Sequence, residues 1–370
     1  MNAFERRIRT IIEAEGPLPL SRYMTLCLSD PHHGYYTTRD PLGVSGDFTT
    51  APEISQMFGE LIGLWCAEVW RAMSAAGGAA RGAPQRLHLA ELGPGRGTLM
   101  KDLLRAAKIV PDFLSAIDVH LVETSPVLAG RQRETLANAH PEISWHTRVE
   151  ELPEGPLIVV ANEFVDALPI DQFVKTQDGW RERRIGIVDG KLAFGLDPRP
   201  VPGIDESLPP RLRKAFVDSV LERRELGPVR EIATRIAKAG GAALIVDYGH
   251  RRTTLAHTLQ AVRAHEFADP LELPGEADLT SLVDFEALAD SVKQQGARPW
   301  GPISQGVFLR RLGIEPRAER LKRDADAKTR ADIDAALHRL VGEAPRQMGE
   351  LFKAFAFTHP ELPAPPGFDS

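Results

Sequence analysis

Apolar residues recur at helical spacing over residues 3–15, through Phe4, Ile8, Ile11 and Ile12, and Gly16-Pro17 ends the run. Ser21 to Leu28 reads as a second short helix, followed by an irregular, aromatic-rich loop from Asp30 to Pro52. From Glu53 to Met73 the pattern predicts one long helix, with Ile54, Met57, Phe58, Leu61, Ile62, Trp65 and Val69 on one face. The small, glycine-rich stretch Ala75 to Pro84 is a linker. Short apolar runs then predict strands near 87–92, 117–123, 143–149 and 157–162, with helices between the early ones. The unbroken run Leu157 to Ala161 is what a central strand covered on both faces requires. After Leu168-Pro169 the period becomes two. Gln172 to Lys175, Trp180 to Ile187 and Lys191 to Phe194 are separated by Asp178-Gly179 and Asp189-Gly190, both hairpin signals. This meander, the proline-rich 198–210 and helices to about Lys238 form an insertion. The core resumes at Ala242 to Asp247, and a last hairpin near Pro302 to Leu312 is expected to finish the sheet. The order predicts an α/β, doubly wound, Rossmann-like sheet in four parts: a helical cap with a lid loop (1–84), a first core part (85–168), an insertion (169–240), and a second core part with a tail (241–370).

Composition narrows the partners. The 370 residues exceed one ordinary domain, and 43% hydrophobic content suits a sizeable core. The net charge of −6, with acids and bases interspersed, argues against nucleic acid as the main partner. The first residues carry Glu5 and lack the apolar run of a secretory signal, and no segment approaches the roughly 18 apolar residues of a membrane span. Cys27 and Cys66 sit in apolar helical contexts, and neither they nor the adjacent His32-His33 show metal-ligand spacing. These features lead to the expectation of a cytoplasmic protein with buried thiols, no metal and no membrane insertion.

The chemistry enters at Leu87-His-Leu-Ala-Glu91-Leu-Gly93-Pro-Gly95-Arg-Gly97-Thr98. A strand ending in an acid, three alternating glycines and a helical run is the opening of a doubly wound nucleotide site. A dinucleotide fingerprint would place its third glycine where Thr98 stands, and a P-loop would need a lysine directly after Gly97. Acid-x-Gly-x-Gly-x-Gly resembles the first motif of class I S-adenosylmethionine (SAM) methyltransferases, whose cationic ligand tolerates an acid such as Glu91. The same glycines can also mark a plain surface turn. The next strand supports the cofactor reading: Ile117 to Glu123 alternates and ends on an acid, followed by Thr124. An acid at that strand end accepts hydrogen bonds from ribose hydroxyls.

The acceptor belongs in the crevice where the fourth strand ends, at Asn162-Glu163-Phe164-Val165-Asp166-Ala167-Leu168-Pro169. Glu163 and Asp166 are two carboxylates one helical turn apart, suited to hold and polarise a guanidinium. A second reading leaves Asp166 as a helix cap and Glu163 as a structural acid. The loop follows the first half of the arginine-methyltransferase pattern, but Gln172 stands near the second glutamate's place. Gly46, Asp47 and Phe48, within Gly43 to Glu53, suggest a loop that closes over a ligand; Thr50 with Glu53 also fits a capping box. Asp247 ends the fifth strand at the same crevice, and His265 could serve as a base or be an ordinary loop histidine.

Together the motifs Asp30-Pro-His-His-Gly-Tyr-Tyr36, Gly46-Asp-Phe-x-Thr-Ala-Pro-Glu53, Glu91 to Gly97, Asn162 to Pro169, Asp247-Tyr-Gly249, Asp269-Pro-Leu271, Asp278-Leu-Thr280 with Val283-Asp-Phe285, Gln305-Gly-x-Phe308 and Met348-Gly-x-x-Phe-Lys353 resemble the MidA family over about residues 16–355. That family comprises class I SAM-dependent methyltransferases and includes the mitochondrial assembly factor for respiratory complex I. The resemblance implies SAM as cofactor, a protein substrate and symmetric arginine methylation of a complex I subunit. Our reading places SAM on Glu91, Gly93, Gly95, Gly97, Thr98, Glu123, Thr124 and Asn162, with Gly46, Asp47 and Phe48 closing the site, Glu163 and Asp166 as the catalytic pair, and the insertion forming the acceptor cleft. A methyltransferase acting on RNA or a small molecule, and a non-catalytic assembly chaperone, stay open as alternatives.

Overall fold

In the computed structural model, which describes residues 2–38, 49–76 and 86–368, the apolar runs assemble into one sheet. Its strands are β1 (Leu87–Leu92), β2 (Ile117–Val122), β3 (Ile143–His146), β4 (Leu157–Asn162), β5 (Gly241–His250), β6 (Arg298–Ser304) and β7 (Phe352–Thr358), in the spatial order β6-β7-β5-β4-β1-β2-β3. β7 runs antiparallel to both its neighbours, while β1 to β5 pair in parallel. The two-residue strand Val283–Asp284 pairs with the end of β5. The chain moves outward from β1 through β2 and β3, then returns to place β4 on the other side of β1. That reversal opens a crevice at the carboxyl ends of β1 and β4, where doubly wound folds hold ligands.

Burial explains the sequence pattern of β4. Ile158 and Val160 join the apolar layer formed with Phe58, Ile62 and Trp65, whereas Val159 and Ala161 join the layer formed with Ile232 and Phe285. A strand with apolar cover on both faces cannot alternate. The two thiols are buried, and burial pushes Cys27 up to about 12 and Cys66 further. Among the described residues no helix is long and apolar enough to cross a membrane.

Several elements depart from expectation. The long helix is two: Ala51–Ile54, then Gln56–Ala76 after Ser55, which is extended at φ −161°. Thr50 sits at the N-cap without a side-chain capping bond. β3 stops at His146, and Val149–Glu151 forms a 3₁₀ turn. The expected hairpin at 302–312 is instead strand β6 followed by the helix Gln305–Arg311, because β6 pairs with the distant β7. The insertion is a sheet in which Ile170–Thr176 lies between Gly179–Val188 and an unforeseen strand, Val220–Arg224. It also pairs with Leu18–Pro19 of the cap.

Cap and insertion share a core. Phe4, Ile8, Leu20 and Tyr23 pack with Ile170, Ile185, Leu259 and Leu279. The cap helix Leu20–Ser29 is thereby held over the crevice, beside the loop that leaves β4.

Candidate active site

The glycine turn follows directly from its local sequence. Gly93, Gly95 and Gly97 all have positive φ, at 61°, 55° and 81°, a region that costs little only without a Cβ. Gly93 N–H donates to Val122 O (3.0 Å), and Gly97 N–H donates to Pro94 O (2.8 Å). Gly97 opens the helix Thr98–Ala107. A Cβ on Gly93 would lie 3.1 Å from the Phe164 ring, so the β4 loop packs directly on the turn.

Turn and ribose-type acid are tied together by a residue that sequence reasoning missed. The buried Gln132 donates from Nε2 to Gly95 O (2.8 Å) and to Glu123 Oε2 (3.0 Å), and accepts from Trp145 Nε1 (3.0 Å). The other Glu123 oxygen accepts from Ser125 N–H at 2.8 Å. Burial raises Glu123 from 4.5 to about 7 against these hydrogen bonds. Glu91 is pushed well above the ordinary range, chiefly by burial, and its Oε2 has no hydrogen-bond partner.

At the end of β4, Glu163 takes the left-handed conformation at φ 52°, strained for a residue with a side chain. Its N–H donates to Val246 O (2.9 Å), and Oε1 accepts from Asn162 Nδ2 (3.0 Å) and Ala51 N–H (3.3 Å). Burial first, then the neighbouring Asp166 carboxylate, raise Glu163 to about 7. Asp166 is buried and also raised by burial, with the Arg224 guanidinium pulling the other way. The Asp166 Oδ1 and Asn162 Oδ1 atoms are buried without partners.

The loop is held from behind. Asp247 Oδ2 accepts from Val165 N–H (2.9 Å) and Asp166 N–H (3.1 Å), so this carboxylate is a buried brace, not an open group. Arg224 donates to the carbonyls of Val165 (2.6 Å), Asp166 (2.8 Å) and Leu168 (2.7 Å), and to Ser281 O (2.9 Å) and Oγ (2.6 Å). Tyr36 from the cap donates to Asp278 Oδ1 (2.7 Å), and Tyr248 to Thr280 Oγ1 (2.6 Å).

A cavity of about 500 Å³ lies among these groups. Glu91, Gly93, Gly95, Thr98, Glu123, Thr124, Asn162, Glu163 and Asp166 all face it, as do Tyr36, Tyr248 and Asp278. Gly97 does not; it shapes the helix start. Glu53 does not close a capping box with Thr50: its carboxylate accepts from Thr98 Oγ1 at 2.5 Å, joining cap to glycine turn. His265 lies exposed in the turn between Gln260–Arg263 and Glu266–Ala268 and is not among the residues that line the cavity. Gly46, Asp47 and Phe48 fall outside the described residues. Gln132 and Arg224 carry no local motif; Asp278 had one, in Asp278-Leu-Thr280.

A concave site with a bare-backbone turn, a strand-end acid and unpartnered buried oxygens on Glu91, Asn162 and Asp166 suits a cationic nucleoside ligand. Residues 61–303 match the model of a family of S-adenosyl-L-methionine-dependent methyltransferases. The chain belongs to this MidA-like family. The methyltransferase is 38% identical over 375 residues to the zebrafish protein named protein arginine methyltransferase NDUFAF7, mitochondrial, covering 95% of this chain and 86% of that one. The human protein of the same name is 36% identical over 384 residues, covering 95% and 82%. A likely methyl transferase from Burkholderia thailandensis, solved bound to S-adenosyl-homocysteine, superposes with a TM-score of 0.81 at 29% identity, covering all of this chain and 93% of that one. The enzyme is a class I SAM-dependent methyltransferase. One expectation is overturned: the relatives are named mitochondrial, which removes the cytoplasmic assignment. Buried thiols do not separate the two compartments.

Proposed function

We propose that the methyltransferase modifies arginine in a protein substrate, a respiratory complex I subunit, with Glu163 and Asp166 as the groups that hold the guanidinium. The observation that carries this reading is the buried pair itself. Two carboxylates from one loop face the cavity, one with an unpartnered oxygen, while the Arg224 guanidinium behind them is committed to backbone carbonyls. Desolvated acids of this kind favour a cation that brings several N–H donors in a planar fork. The names of the curated relatives support the same acceptor class.

In this reading the backbone of Gly93 and Gly95 bounds the cofactor, Gly97 sets the helix start behind it, Thr98 and Thr124 line its sides, Glu123 receives the ribose hydroxyls, and Glu91 with Asn162 faces its charged end. Bound SAM supplies an electrophilic methyl group on a sulfonium. The chain's own part is positioning and proton handling. Glu163, fixed by Asn162 and Ala51, orients one edge of the guanidinium and takes the proton that the acceptor nitrogen releases. Asp166 engages the other edge through Oδ1. Phe164, packed on Gly93, excludes water between them.

The test is mass spectrometry of complex I subunits from a host lacking the gene, after incubation with the enzyme and methyl-labelled SAM. Label on arginine of one subunit is expected. Label confined to RNA or to a small molecule would refute the acceptor assignment.

A further inference from the structure

A second cavity, of about 470 Å³, adjoins the first and shares Thr25 and Pro169 with it. One wall is the cap helix Leu20–Ser29: Thr25 and Ser29 face the inner cavity, and Ser21, Arg22 and Thr25 face the outer one. From Ser21 to Ser29 this wall runs about 12 Å at the helical rise. The other wall is the insertion sheet. Asp171 and Phe173 point the same way from Ile170–Thr176, and Arg223 stands opposite Asp171 on Val220–Arg224. Ser21 N–H donates to Asp171 Oδ1 at 3.0 Å, so the walls are fastened to each other across the floor. The result is a preformed trough that abuts the cavity of the buried carboxylates at Thr25 and Pro169.

We infer that this trough seats an extended stretch of the acceptor protein next to the methylated residue, and that the stretch carries a carboxylate which meets Arg223. The inference rests on the arginine reading above for what enters the inner cavity. A small acceptor would need only the inner cavity, whereas a polypeptide must leave it on at least one side, and the trough adjoins it at Thr25 and Pro169. The charge argument is specific. Arg22 is matched by Glu15 at 2.5 Å, and Glu225 by Arg230 at 2.7 Å. The Asp171 carboxylate is turned to the Ser21 N–H. The exposed Arg223 has a hydroxyl, Ser207 Oγ, as its hydrogen-bond acceptor, and its guanidinium lies 5.5 Å over the Phe173 ring. A cation fixed over an aromatic ring without a carboxylate partner among the described residues is poised for an incoming anion, and Phe173 offers the adjoining apolar contact.

The test uses the full-length enzyme saturated with S-adenosylhomocysteine and fluorescent peptides in which one arginine sits among alanines and glycines. A glutamate, or a glutamine as its control, is placed one to four positions to either side. Polarisation should show at least one glutamate peptide binding about fivefold more tightly than its glutamine control at low salt, the size of a partly exposed ion pair. Arg223→Gln should erase that preference while leaving S-adenosylhomocysteine affinity unchanged, Arg223→Lys should restore part of it, and Phe173→Ala should weaken every peptide. No glutamate preference at any position, or a preference that survives Arg223→Gln, would overturn the inference. Replacing the peptide arginine by lysine separates the two readings: methylation of the lysine peptide with the Arg223-dependent preference intact would refute the arginine assignment and keep the trough.

Discussion

Glu163→Gln should make the protein more stable at alkaline pH and nearly inactive, and both effects follow from one buried charge. The Glu163 carboxyl is raised from 4.5 to about 7 by burial and by Asp166. The folded protein therefore holds this proton more tightly than the unfolded chain does. Between about pH 4.5 and 7 the folded state binds more protons, so stability falls as pH rises through that window and the full penalty is reached above it. At about 1.4 kcal/mol per tenfold change in proton affinity, the penalty is about 3 kcal/mol. Glutamine keeps an oxygen for Asn162 Nδ2 and Ala51 N–H and tolerates φ 52° no worse, but carries no charge. Urea unfolding at pH 8 should show the variant more stable by up to about 3 kcal/mol, with little difference near pH 4.5. Turnover should fall about 30- to 1,000-fold, the loss of roughly 2–4 kcal/mol of charged hydrogen bonding in the transition state. Calorimetric affinity for SAM should be retained. A variant with wild-type turnover, or one no more stable than wild type at pH 8, would refute the argument; loss of SAM affinity would move Glu163 into the cofactor site.

Other substitutions probe the remaining parts of the cavity. Gly95→Val, forcing a β-branched side chain to φ 55°, should abolish SAM binding by calorimetry while circular dichroism still reports a folded core. Glu123→Ala should weaken S-adenosylhomocysteine by about 1–3 kcal/mol, the cost of unpaired hydroxyl donors. Because Glu123 is raised to about 7, wild-type affinity should improve as pH climbs through 7, a trend the alanine variant loses. Arg224→Met leaves the carbonyls of Val165, Asp166 and Leu168 without their donor and should cost about 3–5 kcal/mol in denaturant unfolding.

What could be read from the sequence is what depends on neighbours in the chain. The glycine turn, β1, β2 and β4 announce themselves, because positive φ at three glycines and an apolar run in a doubly covered strand are local demands. The placing of Glu91, Glu123 and Glu163 at one crevice follows from the strand order. The errors arise where a distant segment decides. β6 finds its partner in β7, about fifty residues on, so the apolar residues after Ser304 are free to be helical. Val220–Arg224 ends in charged residues that a solvent-facing pattern would not make a strand; its Arg224 is drawn in by carbonyls of the β4 loop. Gln132 looks like any surface helix residue until Gly95 and Glu123 are folded around its amide. Ser55 breaks the helix by capping the next one, its Oγ accepting from Met57 N–H (3.2 Å), a serine N-cap signal that the unbroken apolar periodicity masks.

The packing of the cap on the far end of the chain also sets the order in which the enzyme can mature on the ribosome. Asn2 donates to Pro274 O across 272 residues, and the apolar faces of Ala3–Glu15 and Leu20–Ser29 close against Leu259 and Leu279. At about 5–20 residues per second, those faces meet Ile170 and Ile185 first and wait roughly 15 to 55 s until Leu259 and Leu279 complete their cover. During that interval Phe4, Ile8 and Tyr23 are exposed to other chains. These helices emerge well before the segments that finish burying them, which makes them natural clients for a chaperone that shields nascent amphipathic segments.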